Sequence, residues 1–160
     1  MRHLKKTDAP RYRNSLWMWA GVKNPFRVAL NFLLIEICKY LPSLRLKNFL
    51  YRLIGIKIGK NAAIGLAVQF DIFYPELIYI SENALIGYNT TILAHEFLQN
   101  ELRTGKVAIG KNVLIGACTV VLPGVEIGDG AVVSALSLVN NDIPKNSFYG
   151  GIPARRLKRS

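Results

Sequence analysis

Residues 107–139 read VAIGKNVLIGACTVVLPGVEIGDGAVVSALSLV, and this stretch carries a repeat of six residues. Glycine follows three of the six repeated aliphatic residues directly, and the residue four positions after each aliphatic is nearly always small or β-branched. The aliphatic residues recur through five consecutive steps, at Ile109, Ile115, Val121, Ile127, Val133 and Val139. Because a chance pattern would fail after a step or two, the period indicates a repeated structural unit.

A period of six fits neither a helix, whose stripes recur about every 3.6 residues, nor an ordinary strand, whose faces alternate. Six residues supply one short strand and one corner, and three such sides close into a triangular coil. Successive coils would then stack at the inter-strand spacing of about 4.8 Å. The aliphatic residue fills the interior, while Gly and Asn accept the unusual backbone of the corners. The repeat therefore predicts an all-β fold built as a parallel β-helix.

The register of the repeat breaks twice in the earlier part of the chain. The same six-residue repeat also includes Ile58, Ile64, Ile80, Ile86 and Ile92. One break falls between Ile64 and Ile80, and the other falls between Ile92 and Ile109. The second break contains His95 and many polar residues, so it predicts a polar loop that protrudes near residues 95–106. Loops on rigid scaffolds are where function concentrates.

The chain before residue 55 follows a helical pattern instead. The sequence predicts one helix over residues 26–41, and a second over residues 44–53 that Ser43 is placed to cap. Two compatible interpretations stay open: the helices cover the open end of the β-helix, or they anchor the chain at an anionic membrane surface. The predicted domains are a basic, helical segment (residues 1–54) and the β-helix (residues 55–160).

The composition limits the kinds of binding partner and the cellular compartment that we expect for this protein. The net charge is +11, with basic residues concentrated at both ends, so we expect an anionic partner. Nucleic acid is disfavoured because no base-reading motif accompanies the charge. The spacing of Cys38 and Cys118 suits neither a disulfide framework nor a metal site, which indicates a reducing, cytoplasmic setting. The apolar run over residues 28–41 is too short to span a bilayer, so any membrane contact would be peripheral, at the inner membrane face.

Several motifs between residues 56 and 158 match a known family. They are the Ile-Gly-x-Asn repeats, Ile92-Leu93-Ala94-His95-Glu96-Phe97, residues 107–117, residues 122–130, Asp142-Ile143-Pro144 and Gly151-Ile152-Pro153-Ala154-Arg155. In these motifs the chain resembles the hexapeptide-repeat O-acetyltransferases, which include galactoside, maltose and nodulation acetyltransferases. The resemblance implies a homotrimer of left-handed β-helices, with acetyl-CoA and a hydroxyl acceptor meeting between subunits. The left-handed sense comes from the resemblance alone, because ordinary parallel crossovers are right-handed.

The resemblance identifies His95 as the general base of the reaction. It is the only histidine of the repeat region, and an imidazole titrates near neutrality, as acetyl transfer to a hydroxyl requires. A base needs an orienting partner, and Asp71, Glu96 and Glu101 are the candidates. Asp71 and Glu96 are predicted to contact the acceptor, with contact to His95 as the alternative for Asp71.

For acetyl-CoA, the resemblance implies contacts with Ala117, Ala135, Asn140, Asn141, Arg155 and Lys158. The two alanines let the pantetheine arm approach the backbone, Ala117 supplies an N–H group to the oxyanion, and the two basic residues meet the CoA phosphates. The sequence departs from the family in two places. Asn140-Asn141 replaces the usual Thr-Lys, for which Lys145 is a candidate substitute, and Ser134-Ala135-Leu136 replaces Gly-Ala-Gly.

The sequence thus predicts an acetyl-CoA-dependent O-acetyltransferase that forms a homotrimer, uses no metal and acts on a hydroxyl of a sugar or glycoside. The alternative is a membrane-associated scaffold trimer whose catalytic site has decayed, as the departures at the CoA contacts would allow. A γ-class carbonic anhydrase is excluded because its zinc needs three histidines. The acceptor stays open: Phe70, Phe73, Tyr74 and Phe97 suit either a sugar-binding surface or buried packing.

Overall fold

The computed structural model describes residues 1–9 and 13–158, so Arg11 and Arg159, two of the basic residues at the chain ends, lie outside the described residues. The helices are α1 (Trp19–Val22), α2 (Pro25–Tyr40) and α3 (Leu44–Leu53), with 3-10 turns at Ser15–Met18 and Pro75–Leu77. The strands are β1 (Lys5–Asp8), β2 (Lys57–Ile58), β3 (Ala63–Ile64), β4 (Gln69–Phe70), β5 (Ile78–Ile80), β6 (Leu85–Ile86), β7 (Thr91–Ile92), β8 (His95–Phe97), β9 (Glu101–Thr104), β10 (Val107–Ile109), β11 (Leu114–Ile115), β12 (Val120–Val121), β13 (Glu126–Ile127), β14 (Val132–Val133), β15 (Leu138–Val139), β16 (Phe148–Gly150) and β17 (Arg155–Arg156).

Most of the strands form the three faces of a triangular prism. The first face contains β2, β5, β10 and β13, the second β3, β6, β11, β14 and β16, and the third β4, β7, β12 and β15. All neighbours within these sets pair in parallel, and β17 turns back antiparallel onto β16. The chain visits the faces in this order in every coil. The first corner therefore joins the first face to the second, the second corner joins the second to the third, and the third corner joins the third to the next coil.

The predicted aliphatic repeat fills the interior of the prism. On the second face Ile64, Ile86, Ile115 and Val133 stack in register, one from each coil, and all are buried. The first and third faces stack their inward residues in the same way. Each fully buried side chain of this kind stabilises the fold by about 1.5–3 kcal/mol. The predicted three-sided coil is therefore observed, and its stacked aliphatic column is the core.

Two corners use residues with left-handed backbone. At the first corner these are mostly asparagines, Asn61, Asn83, Asn112 and Asn146, with φ angles between 53° and 55°. At the second corner the same conformation falls on Ala67, Asn89, Cys118 and Leu136, with φ between 54° and 57°. Coils also approach closely here, since a Cβ atom on Gly87 would lie 2.6 Å from the backbone N of Ala117. The corners thus explain the Asn- and Gly-rich positions of the repeat.

The segment predicted as a protruding loop near residues 95–106 is a β-hairpin in the structure. Strands β8 and β9 pair antiparallel, and β1 adds a third strand along β9, with Lys5 opposite Thr104 and Asp8 opposite Glu101. Just before β1, the backbone N–H group of His3 donates a hydrogen bond to the carbonyl of Gly124. Part of the basic N-terminal segment is therefore strand and not helix.

The helices pack at the end of the prism where the first coil begins. Their bounds agree with the predicted helices over residues 26–41 and 44–53, and the side chain of Ser43 accepts a hydrogen bond from Leu46 N at 3.4 Å. From α2, Ile35 and Cys38 join the hydrophobic core of the coils. The carbonyl groups of the first coil have no preceding coil to bond.

Helix α3 supplies the missing donors to this open edge. Lys47 Nζ donates to the carbonyls of Ile64 and Gly65 at 3.2 and 3.0 Å, and its side chain is buried. Asn48 Nδ2 donates to Ala62 O at 2.8 Å, and Arg52 donates to Ile58 O. Burial lowers the pKa of the Lys47 ammonium, an effect that the nearby Cys38 partly opposes. These contacts satisfy buried carbonyls that would otherwise each cost about 1–3 kcal/mol.

Replacing Lys47 by methionine should therefore destabilise the protein. The methionine keeps most of the apolar stem but leaves the carbonyls of Ile64 and Gly65 without their donor, and we expect a loss of about 1–3 kcal/mol in the free energy of unfolding. Urea unfolding followed by circular dichroism measures this change. Lys60→Met is the matched control, because Lys60 is exposed on the same coil and should change stability by less than about 0.5 kcal/mol. Equal stability of both variants and the parent would contradict the proposed role of Lys47.

Candidate active site

His95 lies at the third corner, where the chain leaves the third face and begins β8. Its side chain is 13% exposed. The ring centroids of Phe97, Phe73 and Tyr74 lie 4.8, 4.9 and 5.9 Å from that of His95. Phe97 comes two residues later on the same strand, so it projects from the same face as His95. The imidazole is thus surrounded by aromatic rings and keeps a small opening to solvent.

The carboxylate of Asp71 lies against this imidazole, with Oδ2 at 2.5 Å from Nδ1 of His95. Asp71 directly follows β4, and Phe70 of that strand pairs in register with Ile92 of the next coil. Asp71 therefore occupies the same corner as His95, one coil earlier. The stacking of coils brings together two residues that are 24 positions apart in the sequence.

Four backbone N–H groups also donate to the Asp71 carboxylate. Ala94 N and His95 N donate to Oδ2 at 2.7 and 2.9 Å. Phe73 N and Tyr74 N donate to Oδ1 at 2.8 and 2.9 Å. The side chain has no exposed surface. A buried carboxylate is tolerated only when such donors replace its lost hydration.

These contacts decide the charge of Asp71. Burial alone would raise the pKa of its carboxyl, but the hydrogen bond and charge of His95, together with the backbone N–H groups of Tyr74 and Ala94, outweigh burial and hold the pKa below its ordinary value. An ionised carboxylate only accepts hydrogen bonds, so Nδ1 of His95 must carry the proton that lies between them. In the neutral ring Nε2 then has the free lone pair, which is the arrangement that a general base requires.

The other two candidate partners of His95 point elsewhere. Glu96 is the neighbour of His95 on β8 and therefore projects to the opposite face of the strand, where its Oε1 accepts from Arg2 at 2.7 Å. Glu101 Oε1 accepts from Arg103 Nε at 2.6 Å. Among the three acidic candidates, Asp71 alone contacts the imidazole.

Asp71 and Glu96, the two residues predicted to bind the acceptor, both have partners within the chain. The side chain of Asp71 has no exposed surface, and both of its carboxylate oxygens accept hydrogen bonds from His95 or the backbone. Glu96 is 18% exposed and is paired with Arg2. Acceptor contact by Asp71 and Glu96 therefore stays a prediction, and both carboxylates already have partners within the chain.

The residues predicted to bind CoA lie in three places. Ala117 and Ala135 lie at the second corner in consecutive coils, and Ala135 is exposed. Asn140 and Asn141 follow β15 at the third corner and bond to each other, Nδ2 of Asn141 to Oδ1 of Asn140, at 3.1 Å. Arg155 and Lys158 are exposed on the C-terminal segment beside the second face. Lys158 lines a cleft of about 620 Å³ together with Phe148 and Arg156.

His95 and Ala117 do not meet within one chain. The third face lies between their corners, and one face is about six residues or roughly 20 Å of extended backbone wide. The N–H group of Ala117 donates no hydrogen bond within residues 1–9 and 13–158, because the chain bonds through its neighbours Gly116 and Cys118 instead. Among the described residues, this N–H group therefore has no acceptor, and it lies at the second corner, one face away from His95.

Two structural features near His95 were not predicted from the sequence. Arg2 and β1 contact the hairpin from 93 or more residues away in the chain, and no local sequence pattern predicts such a pairing. The ring of Trp19 packs edge-on against Phe73 at 6.2 Å, which extends the aromatic surface toward α1. Beyond Phe73 lies a cleft of about 610 Å³, lined also by Lys23, Arg27 and Leu30.

The described part of the chain contains neither a cluster of metal-binding side chains nor a membrane-spanning helix. Within residues 1–9 and 13–158, no group of three or more His, Cys, Asp or Glu side chains is placed to hold a metal ion. Over the same residues, no helix has the length and apolar character needed to cross a bilayer.

Known proteins share this architecture. The family of bacterial transferase hexapeptides, in a form with six repeats, matches residues 106–141. YvoF of Bacillus subtilis, provisionally named an acetyltransferase, is 51% identical over 143 residues that cover 89% of this chain and 83% of that protein. Galactoside O-acetyltransferase of Escherichia coli is 37% identical over 113 residues, which cover 65% of this chain and 54% of that protein. A galactoside acetyltransferase in complex with coenzyme A superimposes with a TM-score of 0.66 at 26% identity, covering 86% of this chain and 82% of that chain.

The charge of Asp71 should make stability depend on pH. Because the folded pKa is lowered, the carboxylate stabilises the fold fully above its ordinary pKa of 3.8, and this contribution is lost as the pH falls through the lower folded value. The advantage of the parent over Asp71→Asn in unfolding free energy should therefore shrink as the pH falls from above that pKa into more acidic solution. Urea unfolding across this range measures it. In a His95→Gln background the acid dependence should be weaker, and an unchanged dependence there would contradict the assignment.

Proposed function

Because this chain belongs to the hexapeptide-repeat acetyltransferase family, we propose that it transfers an acetyl group from acetyl-CoA to a hydroxyl of a sugar or glycoside, with His95 as the general base. The observation that carries the proposal is the buried Asp71 carboxylate at 2.5 Å from Nδ1 of His95. This contact selects the tautomer in which Nε2 can accept a proton. A scaffold with a decayed site would have no reason to keep a buried charge in this position.

In the proposed mechanism, Nε2 of His95 takes the proton of the acceptor hydroxyl as its oxygen attacks the thioester carbonyl carbon. Asp71 stabilises the imidazolium that forms and keeps the ring oriented. When the C–S bond breaks, His95 returns the proton to the departing thiolate. The products are the acetyl ester and CoA with its free thiol, so atoms and charge balance without a metal.

The second corner fits the remaining requirements of the reaction. The free N–H group of Ala117 is a suitable donor to the negative charge that develops on the carbonyl oxygen. The small side chains of Ala117 and Ala135 leave room for the pantetheine arm along this corner. Arg155 and Lys158 are exposed and can meet the phosphates. One departure from the family also lies here, because Leu136 is at this corner and is 68% exposed. The candidate substitute Lys145 lies instead at the first corner, 3.6 Å from Asp129.

We infer a cyclic homotrimer from the separation of these groups. The site is complete only where the third corner of one subunit meets the second corner of its neighbour. Such a contact is heterologous and closes into a ring. The second face adjoins that corner and presents an apolar outer ladder in register, with Leu85 and Leu114 at 46% and 40% exposure. The other outer positions of this ladder are Ala63, Val132 and Phe148.

Three finer expectations belong to the same proposal. The left-handed sense of the coil follows from family membership. The division into residues 1–54 and 55–160 is supported by the end of α3 at Leu53 and the start of β2 at Lys57. The cytoplasmic setting is supported by the proposed use of acetyl-CoA and is compatible with the free cysteines Cys38 and Cys118.

The aromatic rings at the site favour a sugar acceptor. Phe97 and Tyr74 border the imidazole, and both are partly exposed. The apolar face of a sugar ring stacks on such surfaces while its hydroxyl groups stay free to react. The galactoside O-acetyltransferase of Escherichia coli, named for this type of acceptor, is 37% identical in the matched region.

Replacing His95 by alanine should reduce kcat by about 10²- to 10⁴-fold, because the hydroxyl loses its general base. Release of the CoA thiol, measured with acetyl-CoA and a panel of sugars and glycosides, provides the assay. His3→Ala is the matched control: His3 is the other histidine of the chain, its side chain is 74% exposed, and its loss should leave the rate unchanged. Asp71→Asn should lower kcat about tenfold or more with little change in KM for acetyl-CoA.

Two outcomes would contradict this assignment. A His95→Ala protein as active as the parent would exclude His95 as the base. A parent that neither releases thiol nor binds CoA at millimolar concentration would instead support the decayed scaffold.

Mixing two inactive variants should restore activity if the site is shared between subunits. His95→Ala removes the base, and Ala135→Trp fills the second corner at an exposed position where a large side chain can be accommodated. In trimers reassembled at random from equal amounts, about a quarter of the junctions combine an intact third corner with an intact second corner. The thiol-release rate of the reassembled mixture should approach that fraction of the parental rate. Activity no higher than that of the separate variants would show that each site belongs to one chain.

A further inference from the structure

Helix α3 is amphipathic, but its orientation is the reverse of that of an ordinary surface helix. Its polar side faces the protein, and its apolar side faces outward. Its polar residues Lys47 and Asn48 face the protein, at 1% and 8% exposure, because the open edge of the first coil needs hydrogen-bond donors. Its apolar residues Leu46, Phe49 and Leu53 face outward, at 47%, 55% and 56% exposure. These three share one side of the helix, since they are spaced three and four residues apart.

Helix α2 adds a second outward apolar surface beside it. Its buried side is formed by Val28, Asn31, Ile35 and Cys38. The opposite side carries apolar residues at helical spacing that are all exposed: Phe26 (88%), Leu30 (49%), Leu33 (56%), Ile37 (49%) and Tyr40 (78%). A helix with apolar residues on two opposite sides is normally covered on both of them. We call the outward sides of α2 and α3 together the α2–α3 face.

The segment that carries this face is rich in basic residues, although one of them, Lys47, faces the protein. Residues 13–60 contain nine Lys and Arg residues and a single acidic residue, Glu36. Glu36 is itself paired with Lys39 at 2.6 Å. Arg27 and Arg45 are exposed on α2 and α3. The face therefore combines eight exposed apolar side chains with exposed cationic residues.

The positive charge of the α2–α3 face indicates which kind of partner it binds. A second copy of this chain would bring two equally cationic surfaces together, and burial of the apolar area would have to overcome their repulsion. An anionic lipid surface satisfies both properties at once, with acyl chains for the apolar side chains and phosphates for the basic ones. No helix within residues 1–9 and 13–158 can span a bilayer, so the contact would be in the plane of the interface. Trp17, which is 71% exposed and has Arg13 6.0 Å from its ring, is of the type enriched there.

We propose that the α2–α3 face docks this protein on an anionic membrane surface. The face is at the end of the prism where the coils begin, opposite the C-terminal residues. In the cyclic trimer proposed above, with its axis along the coils, three such faces would lie at one end and bind together. Binding at three points strengthens attachment without any new contact. The proposal itself requires only the single chain.

Vesicle flotation tests the proposal with the full chain. Binding to vesicles with about one-third phosphatidylglycerol should exceed binding to pure phosphatidylcholine by about tenfold or more, and should fall when the ionic strength rises from about 0.05 to 0.5 M. The double variant Leu33→Ser/Ile37→Ser should lower binding to the anionic vesicles by about tenfold or more. Ile152→Ser is the matched control, because Ile152 is 76% exposed at the far end of the chain and should bind like the parent.

The remaining outcomes separate this proposal from its rivals. Both substituted positions of the double variant are exposed, so its unfolding midpoint should match that of the parent. Equal binding of parent and double variant, or no preference for anionic lipid, would overturn the proposal. A change in oligomeric mass of the double variant without lipid would assign the face to a second copy instead. Thiol release toward soluble acceptors should be the same in parent and double variant, so failure of docking and failure of the proposed reaction would be seen separately.

Discussion

Each coil of this protein is held by backbone hydrogen bonds to its neighbouring coils, and this constraint organises the rest of the molecule. Since the repeat is six residues long, an inward residue always lies above an inward residue, as Ile64, Ile86, Ile115 and Val133 do on the second face. Corners stack on corners for the same reason. Any residue placed at a corner is therefore brought next to the residue at the same corner one coil away, whatever their separation in sequence.

The candidate active site is a direct product of that stacking. Asp71 and His95 each follow a strand of the third face, so the pairing of β4 with β7 sets one above the other. The breaks in the repeat occur at this corner in both coils, which frees backbone N–H groups to donate to the Asp71 carboxylate. A buried negative charge is thereby made compatible with folding, and the same charge fixes the proton on Nδ1 of the imidazole.

The stacked design also leaves a terminal edge that must be satisfied. The first coil has carbonyl groups with no preceding partner, and α3 supplies Lys47, Asn48 and Arg52 as donors to them. A helix that turns its polar side toward the protein necessarily turns its apolar side outward. The exposed Leu46, Phe49 and Leu53 are thus a physical consequence of the need to cap the β-helix, and they leave an apolar surface available for a second role.

The sequence by itself determined the repeating coil, the helices over residues 26–41 and 44–53, and the position of His95 at a break in the repeat, because aliphatic period, capping residues and register are all local signals. It could not choose among Asp71, Glu96 and Glu101 as partner of His95, since the break between Ile64 and Ile80 hides which residues share a corner. It also did not predict β1 on the hairpin or the outward apolar side of α3. Those features depend on contacts between distant segments and on the free carbonyls of the first coil, so only the tertiary structure decided them.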